Sequence, residues 1–237
     1  MIDSDSVLRR LPHGLPQKQI VFIDALRISA EIADQAYSDL HSDLHLLAAG
    51  KEANQSRDFV RVIRHTWTFI DAVHRFRTVL RVTPGIKHNH VYELFMRRSE
   101  SVTDMRNTAQ HLDQELTGIA KRSQGAYGTL SWVIGAGEEL VPKPLMLNLG
   151  TAYGRVVGPV IDFEERLPAG EIRRIRLELA DRLLMLSDVI LHLTGMLSSL
   201  EASIAEFAEG KERFGSDQFM NFDFIPVNEE KLGSENN

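Results

Sequence analysis

Apolar residues return along the first part of the chain at alternating steps of four and three: Leu26, Ala30, Ala33, Tyr37, Leu40, Leu44 and Leu47. This period is one stripe of an amphipathic helix. Pro12, Gly14 and Pro16 cannot continue it, so the helix is expected to start near Gln17 and to end before Gly50. A second helix is expected from about Ser56 to Val82, closed by Pro84-Gly85, with a wide apolar side that includes Phe59, Val62, Trp67, Phe69, Ile70, Val73, Phe76 and Leu80. A third is expected from about Asn89 to Arg122 on the stripe Val91, Phe95, Val102, Met105, Ala109, Leu112, Leu116 and Ile119, into which Arg98 intrudes. A fourth is expected from near Asp181 to Gly210, where Leu183, Leu186, Ile190, Leu193, Leu197, Leu200, Ile204 and Phe207 keep bundle-seam spacing.

Between Gly128 and Leu179 the period shortens and short strands are expected at Thr129–Ile134, Leu145–Leu149, Val156–Glu164 and Ile172–Leu179. Leu167-Pro168-Ala169-Gly170 is a turn between the last two, and Gly135-Ala136-Gly137 is another turn. The expected fold is mainly α: an antiparallel bundle of four long helices with a small β-hairpin insertion between the third and fourth. It forms one domain over 1–210 with the insertion at about 124–179. A tail over 211–237, with one apolar run at Phe219–Val227, docks on it or stays partly disordered.

The fourth helix carries more apolar side chains than one seam hides, because Leu184, Met185, Val189, Leu191 and Met196 widen its stripe. A homodimer is therefore expected. Composition adds a few exclusions. A net charge of −6 does not describe a polyanion binder, so any nucleic-acid contact has to come from a local patch. The absence of cysteine removes disulfides, thiolate metal sites and a thiol nucleophile. No apolar stretch follows Arg9 and Arg10, and the most apolar region contains Asp188 and His192, so a cytoplasmic protein without a membrane partner is expected.

Two groups of residues invite chemistry. Arg57, Arg61, Arg64 and Arg75 project within about 60° of one another on the second helix, using 100° per residue. They form either a solvated face or a phosphate-binding stripe, since arginine donates in pairs to phosphate oxygens. His41 and His45 share a helix face, as do Asp188 and His192, but no Glu-x-x-His pair accompanies them and no metal site is expected. His74 falls on the apolar side of its helix and reads as a hydrogen-bonded core histidine. No nucleophile elbow, Walker loop or dinucleotide fingerprint occurs.

The second group is Arg106-Asn107 followed by His111, within Met105-Arg106-Asn107-Thr108-Ala109-Gln110-His111-Leu112-Asp113. This pattern, on an inner helix with one long helix still to come, resembles the motif of HEPN-type helical bundles. The resemblance covers the motif and the helix order over about 56–210. It implies that Arg106 orients a scissile phosphate, that His111 acts in general acid–base chemistry on RNA, and that Asn107 positions the histidine. It also implies a composite site across a dimer, with no metal or other cofactor. By helical angles Asn107 and His111 lie about 40° apart and opposite the Val102/Met105/Leu112 stripe, with Arg106 at its edge. Glu100, Asp104 and Glu115 share the His111 face, which is unfavourable to a phosphate. The expected function is a HEPN-like, non-catalytic interaction or scaffold module, RNA- or defence-related. The alternative is a metal-independent endoribonuclease, a toxin or defence component, that uses Arg106 and His111 at a dimer cleft. The expected partners are a second copy and, beyond that, RNA or another protein.

Overall fold

The computed structural model describes residues 1–50, 55–121, 125–137, 141–148, 166–215, 217 and 218, with the backbone alone at 55–57. The first two helices stand where the periodicity puts them, α1 at Gln17–Ala48 and α2 at Gln55–Val82. The Gln19 amide near the start of α1 donates to the Pro84 carbonyl beyond the end of α2 (3.1 Å). Near the other end, the Arg61 Nε donates to Asp43 (2.9 Å). The two helices are thus an antiparallel hairpin pinned at both ends.

The third expected helix is a correction. It is three short helices, α3 at His90–Arg98, α4 at Glu100–Gln110 and α5 at Leu112–Lys121. Asn89 starts α3 by accepting the Tyr92 N–H on its side chain (2.9 Å), an ordinary N-cap. It ends at Ser99, which is fully buried with its hydroxyl donating to the Phe95 carbonyl at 2.7 Å and whose backbone leaves helical values at φ −99°, ψ 8°. His111 makes the second break at φ −107°, ψ 35°. The architecture is therefore three long helices and three short ones among the described residues, where four long helices were expected.

The insertion is also larger than a hairpin. Strands β1 (Thr129–Ile134), β2 (Lys143–Asn148), β3 (Ile172–Leu179) and β4 (Arg182–Met185) form one antiparallel sheet in the order β2-β1-β3-β4. β4 takes residues expected to open the fourth helix, which as α6 begins only at Leu186 and ends at Ala208. The reversal before β4 uses Ala180 at φ 53°, with Leu179 paired to Arg182 across it. Register slips between β1 and β3 where Ser131 faces Arg176 but Val133 faces Arg173, so β3 carries one extra residue. Arg174 there has φ 52°, the mark of a β-bulge. The expected strand Val156–Glu164 and the apolar run Phe219–Val227 lie outside the described residues.

One continuous core joins helices and sheet. Leu26, Ala30, Phe69, Val73, Val102, Met105 and Leu193 meet Leu130, Trp132, Ile175, Leu177 and Leu179 from the inner face of the sheet. Ser187 at the start of α6 ties the layers, accepting the Ile175 N–H (2.9 Å) and the Tyr37 hydroxyl (3.3 Å). The segment before α1 contributes Val7, Leu8 and Leu11 to the core. The start of the tail lies against it: the Phe214 N–H donates to the Leu11 carbonyl (2.8 Å) and Asp217 pairs with buried Arg27 (2.5 Å). In α6 and just before it, Leu184, Val189 and Met196 are buried in their own chain, and Leu183 and Leu191 remain exposed. No helix among the described residues is long and apolar enough to cross a membrane.

Candidate functional site

Val102 and Met105 are fully buried on α4, which turns the next residue, Arg106, toward α2. There its Nε donates to Asp71 (2.9 Å), and its Nη1 donates back to Gln110 on its own helix (3.0 Å). One turn beyond Asp71, His74 sets Nδ1 3.4 Å from the Thr103 hydroxyl. The same hydroxyl accepts from Arg77 (2.9 Å), whose other arm donates to the Met96 carbonyl (3.0 Å). The seam of α2 with α3 and α4 is thus lined by Asp71, His74, Arg77, Thr103 and Arg106. The expected core histidine is half-buried and belongs to this polar seam.

Burial pushes the His74 imidazole below the usual histidine value of 6.5, and the Arg106 guanidinium pushes it further. Asp71 opposes them, while Arg77 and Arg81 add to the depression. His41, edge-on to His45 with ring centroids 4.8 Å apart, is also lowered, by burial first and by His45 second, against a backbone hydrogen bond with Ile172. A folded-state value below the unfolded one means that the unfolded chain takes up protons first on acidification. The stabilising contribution is therefore present above 6.5 and is lost as pH falls toward the folded-state values. The melting temperature is expected to drop between pH 7.5 and 5.5. His74→Gln should flatten that slope in thermal melts followed by circular dichroism; an unchanged slope would remove His74 from the account.

The other motif residues are placed differently. Asn107 and His111 are exposed, as their helical angles require. His111 is not on the helix with Arg106 but on the break that follows it, its N–H donating to the Asn107 carbonyl (3.1 Å). Its ring has no hydrogen-bond partner among the described residues. Arg106 faces α2, whereas Asn107 and His111 face outward.

The arginine stripe divides as well. The Arg57 side chain lies outside the described residues. Arg61 is occupied by Asp43 (2.7 Å) and Asp58 (3.2 Å), so it fastens α2 to α1. Arg64 is exposed and, among the described residues, approaches only the neighbouring His65 (3.4 Å). Arg75 is exposed, one turn after Asp71, and Arg64 lies two turns before it, so both share the α2 flank on which Arg106 is held. Among the described residues no group of three His, Asp or Glu is placed to hold a metal ion.

Sequence reasoning did not find Asp71, Arg77 or Thr103, because partners across two helices have no fixed spacing. It could have found Gln110, four residues after Arg106, where a side-chain pair on one helix face is expected. It also passed over Arg27, which is 4 % exposed beside the apolar stripe of α1, with Asp24 (3.8 Å) and Glu31 (3.1 Å) at helical spacing. Comparison with protein-family models, with curated proteins and with solved structures finds no match.

Proposed function

We propose that the chain is a HEPN-like helical-bundle protein acting as a non-catalytic interaction or scaffold module in an RNA- or defence-related setting. The supporting observation is the engagement of Arg106. With Asp71 on its Nε and Gln110 on its Nη1, the guanidinium offers a phosphate a neutralised pair, and the Asp71 carboxylate repels that phosphate. The pair itself is partly exposed, 28 % and 48 % by side chain, and contributes less than about 1 kcal/mol to stability.

A second reading, a metal-independent endoribonuclease with a composite site at a dimer cleft, draws on the exposed Asn107 and His111 and on Arg64 and Arg75 along the same flank of α2. The two separate in one assay: single-stranded RNA with chelator present, incubated with the parent, His111→Ala and Arg106→Ala. The interaction module predicts no cleavage by any of them and a His111→Ala melting temperature within about 2 °C of the parent, since an exposed side chain is removed. Cleavage by the parent that His111→Ala lowers by about 10²–10⁴-fold would establish the nuclease instead.

The homodimer is part of the same proposal, on a different surface from the one α6 suggested. Val21, Ala25, Ile28 and Ile32 on α1 repeat at steps of four, three and four, which is the spacing of a helix-pairing seam. Val21, Ile28 and Ile32 are 60 %, 47 % and 40 % exposed. Light scattering at micromolar concentration should give twice the chain mass; the mass of one chain would remove the dimer and the composite site together.

A further inference from the structure

A cleft of about 320 Å³ opens at the end of the molecule where the start of α1, the α2–α3 connection and the second half of α6 meet. Its floor is apolar and almost inaccessible: Ile23, Met196, Leu200 and Ile204 are each 7 % exposed or less. This volume falls in the range of small-molecule sites. The rim is polar and its two sides have opposite sign. On one side are Lys87 and the α3 N-cap Asn89, whose amide donates to Ser199 of α6 (3.4 Å); on the other is Glu206 in the last turn of α6. Lys87 and Glu206 are both exposed, line the same cleft and have no ion-pair partner among the described residues. The start of α3 carries the positive end of its helix dipole and the end of α6 the negative end, so each backbone reinforces the side chain beside it.

We propose that this cleft binds a small zwitterion with a bulky apolar body, of the class of an aromatic or large aliphatic amino acid. The carboxylate is taken by Lys87 and the ammonium by Glu206, while the apolar body fills the space over Leu200 and Ile204. A purely apolar ligand would pair with neither charge, and a singly charged one with only one of them. This site is independent of the Arg106 seam.

The test is calorimetric titration of the whole chain with L-phenylalanine, 3-phenylpropionate and 2-phenylethylamine, which share the ring and differ in charge. Phenylalanine is expected to bind, and each analogue that lacks one charge should bind at least about fivefold more weakly, as charge-assisted hydrogen bonds require. Lys87→Met should abolish the preference for phenylalanine over the amine, and Glu206→Gln the preference over the acid. Ser203→Trp places a bulky ring at an exposed rim position and should block binding with an unchanged melting temperature. No binding by any of the three probes overturns the site. Equal binding of phenylalanine and either analogue overturns the zwitterion, and full binding by Ser203→Trp overturns the location.

Discussion

Phe76→Ala should lower stability by about 3–5 kcal/mol, the largest single-residue effect expected in the described part of the chain. Phe76 is fully buried on α2, and its ring meets Phe95 of α3 edge-to-face, with centroids 5.5 Å apart and planes at 85°. Truncation removes the ring and leaves a hole walled by helices already fixed through Arg77 to Met96 and Gln19 to Pro84, so little collapse can refill it. For a chain of this size each kcal/mol moves the midpoint by about 2–4 °C, so the melt should fall by roughly 10 °C. Phe76→Leu keeps most of the apolar volume and should recover more than half of the loss. The ring–ring part, about 0.5–1.5 kcal/mol, is read from a cycle with Phe95→Leu. A Phe76→Ala melt within 3 °C of the parent would mean that α3 is not seated on α2 as described.

The strongly periodic segments were legible in the sequence. α1 and α2 begin and end within about one residue of the expected positions, because Pro16, Gly50 and Pro84-Gly85 bound stripes that no other element interrupts. β1 and β3 were legible as short runs bounded by turn residues, and in β3 Ile175, Leu177 and Leu179 alternate with charged residues and are buried. The third helix was not, because the stripe from Val91 to Ile119 keeps helical phase through Ser99 and His111. The breaks are backbone departures at fully buried Ser99 and at exposed His111, and neither leaves a mark in the apolar spacing. β4 was hidden for a related reason: Leu183 and Leu186 sit at helical spacing from Ile190, so four leucine-rich residues paired to β3 read as the first turn of α6.

The candidate site was legible in part. The exposure of Asn107 and His111 follows from angles along one helix and holds although the helix ends at Gln110. The fate of Arg106 does not follow from them. It depends on the rotation of α4 against α2, which the burial of Val102 and Met105 fixes and no local pattern records. The motif's meaning turns on that rotation, since it delivers Arg106 to Asp71 and leaves His111 in solvent.

Gly135→Ala should be nearly as damaging as loss of the phenylalanine ring, at about 3 kcal/mol, the upper part of the range for overpacking. The residue follows β1 and has no unusual φ; what it needs is space. A methyl group there would fall directly on the Pro168 carbonyl oxygen, and would also come within 2.8 Å of the Leu167 Cβ and 2.9 Å of the Leu167 carbonyl oxygen. Neither side can yield cheaply. The Gly135 N–H donates to the Glu171 carbonyl (2.8 Å) and its own carbonyl accepts the Gly170 N–H (2.9 Å), so the turn that delivers β3 is held against it from both directions. Relief would require parting the end of β1 from the start of β3, where Ile134 pairs with Ile172 and Leu167 and Ile172 are buried. Gly137, two residues on, makes the control. It has φ +111° and open space around it, so Gly137→Ala meets only backbone strain, about 1–2 kcal/mol. Denaturant melts of the two variants should therefore rank Gly135→Ala below Gly137→Ala. The reverse order would mean that the Leu167–Gly170 turn does not rest on the end of β1, and the sheet would lose the contact that sets the β1–β3 register beyond the bulge.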